Sequence, residues 1–237
     1  MANFLRLLLG LLLLPACWGV TRTLYDSVVV AAGSEGLNVE TLSLLGGVAA
    51  FALAWTALSH PVRAYVLGHE LTHALWGLLF LARPSDLTVS ASGGSVRLTK
   101  TNLLITLAPY FFPFYTFVVI VCALVTSAFF RPLPCLPLWL FMIGFTWAFH
   151  VLFTLETLGQ RQPDVKTYGR IFSWTFIFLV NVAIVLVWLA STTSLTFADL
   201  GADLLRRVAS AYASTGDAAW VAARWIWTTA ASLWSAR

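Results

Sequence analysis

The chain of 237 residues is 59% hydrophobic and only 10% charged, with a formal net charge of +4 and a mean hydropathy of +0.85. Its apolar residues fall in long uninterrupted runs, which argues against a soluble domain of any size and predicts an all-α polytopic membrane protein of about six transmembrane helices. The positive charge is scattered, with no Lys/Arg cluster interleaved with aromatics, so no nucleic-acid partner is expected and the lipid bilayer is the expected neighbour of these residues.

Residues 5–17 form a short apolar run behind Arg6, readable as a signal peptide or as a retained first membrane helix. The retained helix is the expectation, because Leu14-Pro15-Ala16-Cys17 is a poor lipoprotein cleavage box with proline at its second position. Residues 25–41 carry Asp26, Glu35, Glu40 and two glycines, and read as a solvated loop. The uncharged run 42–59 is long enough to span as a helix, and Pro61 separates it from the next apolar run, 62–81.

That next run contains His69-Glu70-Leu71-Thr72-His73. Histidines four apart on a helix point to one side, so both imidazoles can reach one cation, with Glu70 beside the first as a base toward water. With four His and four Glu in the chain, chance placement of this pattern is about one in a thousand. An acidic residue in the middle of a membrane helix costs on the order of 3 kcal/mol on insertion scales, and a divalent metal or a buried His-Glu pair would offset it. His69 lies about 12 Å from the Pro61 end and His73 about 18 Å, near mid-membrane depth.

After a break at Arg83-Pro84-Ser85-Asp86, residues 87–100 alternate around Gly93-Gly94 and are rich in β-branched residues. This predicts a small β-hairpin with a Gly-Gly turn, either an exposed loop or an edge strand that receives an extended peptide, in which case Gly93, Gly94 and Val96 bind substrate. Residues 103–130 form a span interrupted by Pro109 and Pro113. Residues 138–158 form the next, carrying His150 and Glu156, and 171–190 the last, with the polar stretch from Gly159 through Arg161 to Lys166 between them. The tail 197–237 has Trp220, Trp227 and Trp234 at seven-residue spacing and reads as an amphipathic interfacial helix. Three units are expected: 1–41, an N-terminal membrane helix and loop; 42–190, the core; and 191–237, the interfacial tail. Cys17, Cys122 and Cys135 have no metal-ligand spacing and suggest no disulfide framework.

The segment 42–181 resembles the site-2 protease family of intramembrane zinc metallopeptidases, in particular its small members without a PDZ domain. The resemblance rests on His69-Glu70-Leu71-Thr72-His73-Ala74, on the Gly-Gly hairpin, on Leu107-Ala108-Pro109-Tyr110 in the place of a segment that usually reads Ala-Gly-Tyr, and on Phe141-Met142-Ile143-Gly144-Phe145 leading to Asp164. It implies a zinc ion held by His69, His73 and Asp164, Glu70 as general base, and peptide-bond hydrolysis in transmembrane or membrane-proximal segments of a protein substrate. Asp164 lacks the Asn-Pro and Asp-Gly neighbours of better-known members, and counting spans puts it at the opposite membrane end from the start of the histidine helix. Glu156 and His150 therefore remain alternative third ligands.

Two other function classes stand beside the zinc endopeptidase. One is a catalytically silent relative that binds membrane proteins through the same groove; the other is a metal or proton transporter, which would call for a charged path and a repeated half that the chain does not offer. The presence of Glu70 favours the enzyme over the silent relative. Composition shows no organelle transit pattern, which makes a bacterial cytoplasmic membrane the default location. The distribution of Lys and Arg leaves the orientation open.

Overall fold

The computed structural model describes residues 2–36, 38–160 and 162–235, with the side chains of Ala2, Glu35 and residues 230–235 outside that set. Arg161 and the Trp234 side chain, both read above, thus lie outside the described residues. The chain is mostly helical. In order come α1 (Ala2–Glu35), α2 (Val39–Ala57), α3 (Val62–Leu79), a hairpin of β1 (Pro84–Ser90) and β2 (Gly93–Leu98), then α4 (Leu103–Leu107) running into a 3-10 turn (Ala108–Tyr110). α5 (Phe114–Phe129), α6 (Leu136–Gly159), the short α7 (Pro163–Thr167), α8 (Arg170–Thr192) and α9 (Phe197–Ser235) complete it.

Among the described residues, four helical stretches are long and apolar enough to cross a membrane: Asn3–Ser34, Val39–Ala57, Leu136–Gly159 and Arg170–Thr192. A fifth is counted if Leu103–Tyr110 and Phe114–Phe129, which meet at 83°, are one broken span. The prolines cause that break: neither Pro109 nor Pro113 can donate a helix hydrogen bond, and α5 restarts only after the second. The count of six expected from the sequence also included α3, whose length suffices but whose Arg63, His69, Glu70 and His73 lower its hydropathy. Large apolar side chains such as Leu12, Leu53, Leu124 and Leu155 stand exposed on these helices, as lipid-facing residues do.

The predicted loop at 25–41 is a correction. α1 continues through it to Glu35, and α2 begins at Val39 behind an Asn38 cap whose side chain accepts the Thr41 N–H at 2.8 Å. Asp26 does not mark a solvated loop because it is ion-paired with Arg207. Ser27 Oγ donates to the Thr23 carbonyl at 2.7 Å, so its polarity is also satisfied within the helix.

The chain divides into two compact units. One comprises Met1–Glu35 with Phe178–Arg237; the other is Gly36–Ile177. The first is built on α1 and α9, with a core of Val20, Val182, Leu186 and Leu200. α1 and α9 run antiparallel, as successive contacts show: Thr23 Oγ1 donates to Asp203 at 3.1 Å, Gly19 abuts Val208, and Tyr212 donates to the Leu12 carbonyl at 2.6 Å. On α9, Trp220 and Trp227 are both exposed.

In the second unit α2 and α6 run parallel with their backbones touching. A Cβ at Gly47 would collide with the Phe141 carbonyl oxygen, and one at Gly144 with that of Leu44. Further along the same pair, Phe51, Ala148 and Phe153 form a buried core, against which Trp55, Tyr65 and Phe149 pack. Because neither backbone can yield without separating the helices, Gly144→Val is expected to destabilise the protein by about 1–3 kcal/mol or more. The measurement is thermal unfolding in detergent; Gly46→Ala, whose Cβ would sit 3.8 Å from the nearest atom, Phe141 Cδ2, should not lower the midpoint.

The hairpin turns at Ala91-Ser92, not at the glycines, and Gly93 and Gly94 lie in β2 opposite Ser90 and Val89. Gly94 is needed for close approach instead of turning. A Cβ there would lie 2.6 Å from Val66 Cγ1 and 2.9 Å from Glu70 Cγ, both on α3.

Candidate metal centre

The site is assembled from α3, the α4 segment and α7. One helical turn sets His69 and His73 side by side, with ring centroids 4.9 Å apart. The Nε2 atoms of both face Asp164 Oδ2, each at 3.5 Å. Donors held at about 2.0–2.1 Å around a tetrahedral ion lie about 3.3–3.4 Å from one another, so these separations are closer to the edge of a coordination tetrahedron than to a good hydrogen bond. Among the described residues, this trio is the one group of His, Cys, Asp or Glu placed to hold a metal ion, its ligand atoms all within 4.8 Å of one another.

The surroundings set the chemical state of each of the three side chains. His73 Nδ1 lies 2.9 Å from the Ile105 carbonyl oxygen. A carbonyl can only accept, so Nδ1 carries a proton, and in the neutral ring Nε2 then presents its lone pair to the site. Asn102 fixes that carbonyl by capping α4, its side chain accepting the Ile105 N–H at 2.9 Å. His69 Nδ1 is 3.3 Å from the Tyr65 hydroxyl, one turn earlier on α3, and Tyr65 is itself stacked on Phe153 at 4.6 Å. Tyr110, fully buried in the 3-10 turn, donates to Asp164 Oδ2 at 3.2 Å. Two neutral imidazoles and an ionised carboxylate, each oriented by an outer partner, are a donor set suited to zinc.

Asp164 stands in the first turn of α7, which is anchored by buried Val165 and by Ser173 Oγ donating to the Val165 carbonyl at 3.0 Å. Burial raises its pKa, but hydrogen bonds and positive charge from the imidazolium forms of His69 and His73 more than reverse that and hold the carboxyl well below the usual carboxylate range; a cation held between the neutral rings would act in the same direction. It is therefore ionised at neutral pH, as a ligand must be.

Span counting had put Asp164 at the wrong end. Since α2 and α6 are parallel, both end beside the start of α3, where His60 Nδ1 faces Glu156 Oε2 at 3.7 Å and His60 stacks on Trp55 at 3.6 Å. The residues just after α6 are thus delivered to the histidines. Glu156 lines the same cavity but lies outside the ligand group, and His150, buried on α6, lines a separate small cavity with Gly68, Thr72 and Tyr115.

Glu70 is buried beside His69, with its side chain packed against Gly94 of β2. A cavity of about 630 Å³ is lined by the trio together with Glu70, residues of β2, Glu156 and Gln160. Gly93, Gly94 and Val96 all line it. The sheet has two strands, so β2 has one edge unpaired. Tyr65, Tyr110 and the Ile105 carbonyl are site residues that sequence reasoning did not single out; Tyr65, four before His69 on the helix, could have been found by spacing alone.

Comparison with known proteins finds no family model, no curated protein and no solved structure that matches the chain.

Proposed function

We propose that the chain is a multi-pass intramembrane zinc endopeptidase of the site-2 type, cutting extended transmembrane or membrane-proximal segments of protein substrates. The observation that carries this reading is the convergence of His69, His73 and Asp164 on one point with Glu70 beside it, over a cavity walled by an unpaired strand edge. His69 and His73 would hold zinc through Nε2 and Asp164 through its carboxylate. Zinc bound there supplies Lewis-acid polarisation of the scissile carbonyl.

The remaining work belongs to the chain's own groups. An extended substrate adds to the β2 edge, where Gly93 and Gly94 keep side chains out of the way of its backbone and Val96 continues the ladder. Because only an extended backbone can pair there, a helical substrate must unwind first. Glu70 takes a proton from the attacking water and passes it to the leaving amine nitrogen, its side chain held between α3 and Gly94 of β2. Tyr65 and Ile105 hold the imidazole tautomers, and Tyr110 holds Asp164.

The test is cleavage of transmembrane peptides by the detergent-purified protein. Cleavage abolished by a strong chelator and restored by zinc is the expected result. Peptides that bind but stay intact with zinc supplied would favour the silent relative, and cleavage indifferent to chelation would overturn the reading.

A further inference from the structure

A second cavity, of about 840 Å³, lies between α1 and α9, and its two ends differ in chemistry. At one end Arg22, Arg206 and Arg207 line it; at the other are Leu11, Leu14 and Ala218. Arg22 and Leu11 are eleven residues apart on α1, about 16 Å at 1.5 Å per residue. Trp18 lines it between them.

The arginines are not equally engaged. Arg207 pairs with Asp26 and Asp203, and Arg206 with Asp203. Arg22 is exposed and has no ion-pair partner among the described residues. Three guanidiniums thus face two carboxylates, leaving that end with one excess positive charge. Ser210 and Ser214, also in the lining, add hydroxyl donors. α1 is a candidate membrane span; its uncharged apolar stretch runs from Leu7 to Val20 and ends at Arg22, and a Trp-Arg level at the end of such a stretch corresponds to the headgroup region.

From this we infer that the α1/α9 groove is a binding site for an anionic phospholipid, with the headgroup phosphate against Arg22 and Arg206 and an acyl chain running past Trp18 towards Leu14 and Leu11. A guanidinium with no carboxylate partner is suited to a phosphate, which it can meet with two parallel hydrogen bonds. The apolar end selects a lipid over free phosphate. The excess positive charge, with both nearby aspartates already paired, selects an anionic headgroup over a zwitterionic one.

Native mass spectrometry of the full chain in detergent tests this, with phosphatidylglycerol, phosphatidylcholine of the same acyl chains, and inorganic phosphate as probes. Phosphatidylglycerol should bind at one dominant site at least about fivefold more tightly than phosphatidylcholine, the equivalent of about 1 kcal/mol for one arginine at the membrane surface. Arg22→Gln, at an exposed position, should remove that preference, and Ser214→Phe, which fills the groove, should weaken both lipids while circular dichroism stays unchanged. Equal binding of the two lipids, a preference that survives Arg22→Gln, or inorganic phosphate displacing the lipid would each overturn the site.

Discussion

Glu70→Gln is expected to leave zinc binding intact and to lower the rate of peptide cleavage by about 10²–10⁴-fold, the usual contribution of a positioned general base. The substitution keeps the shape of the side chain that packs against Gly94, so the hairpin should stay docked on α3. What is lost is the capacity to take a proton from water. Single-turnover cleavage of a transmembrane peptide, with zinc content measured on the same sample, separates this from a loss of metal. Near-wild-type cleavage by the zinc-loaded variant would remove Glu70 from the mechanism, whereas a variant without zinc would make the residue a structural support of the site.

The second large effect separates the candidates for the third ligand. Asp164→Ala should weaken zinc binding by more than the 10–100-fold, roughly, that loss of an outer-shell partner costs, because it removes the only anionic donor of the trio. Glu156→Ala should leave the affinity unchanged, since that carboxylate faces His60 at 3.7 Å and not the histidine pair on α3. Competition with a chromophoric chelator measures both. The opposite pattern would move the third ligand to Glu156 and require α6 to shift its last turn towards α3.

Different parts of the site were legible in the sequence to different degrees. His69, Glu70 and His73 could be read at once because helical periodicity alone puts i and i+4 on one face. Asp164 could be named only from the resemblance; what brings it to the histidines is the parallel packing of α2 on α6 through Gly47 and Gly144, a long-range contact that no local pattern encodes. The same limit explains the misreading of residues 25–41. Asp26 looked solvated because its partner, Arg207, lies on a helix far along the chain. Gly93-Gly94 carried a turn signal, yet the demand on Gly94 is steric and comes from Val66 and Glu70. The helices themselves were plain from their apolar runs, whereas their number as spans depends on how α3 and the break at Pro109 and Pro113 are counted.

The measurement that bears most directly on the metal centre is elemental mass spectrometry of the wild-type protein, purified in detergent and passed through a desalting step that strips loosely held ions. The arrangement of His69, His73 and Asp164 predicts close to one zinc per chain. A protein that carries none, and takes up none when zinc is supplied, would contradict it.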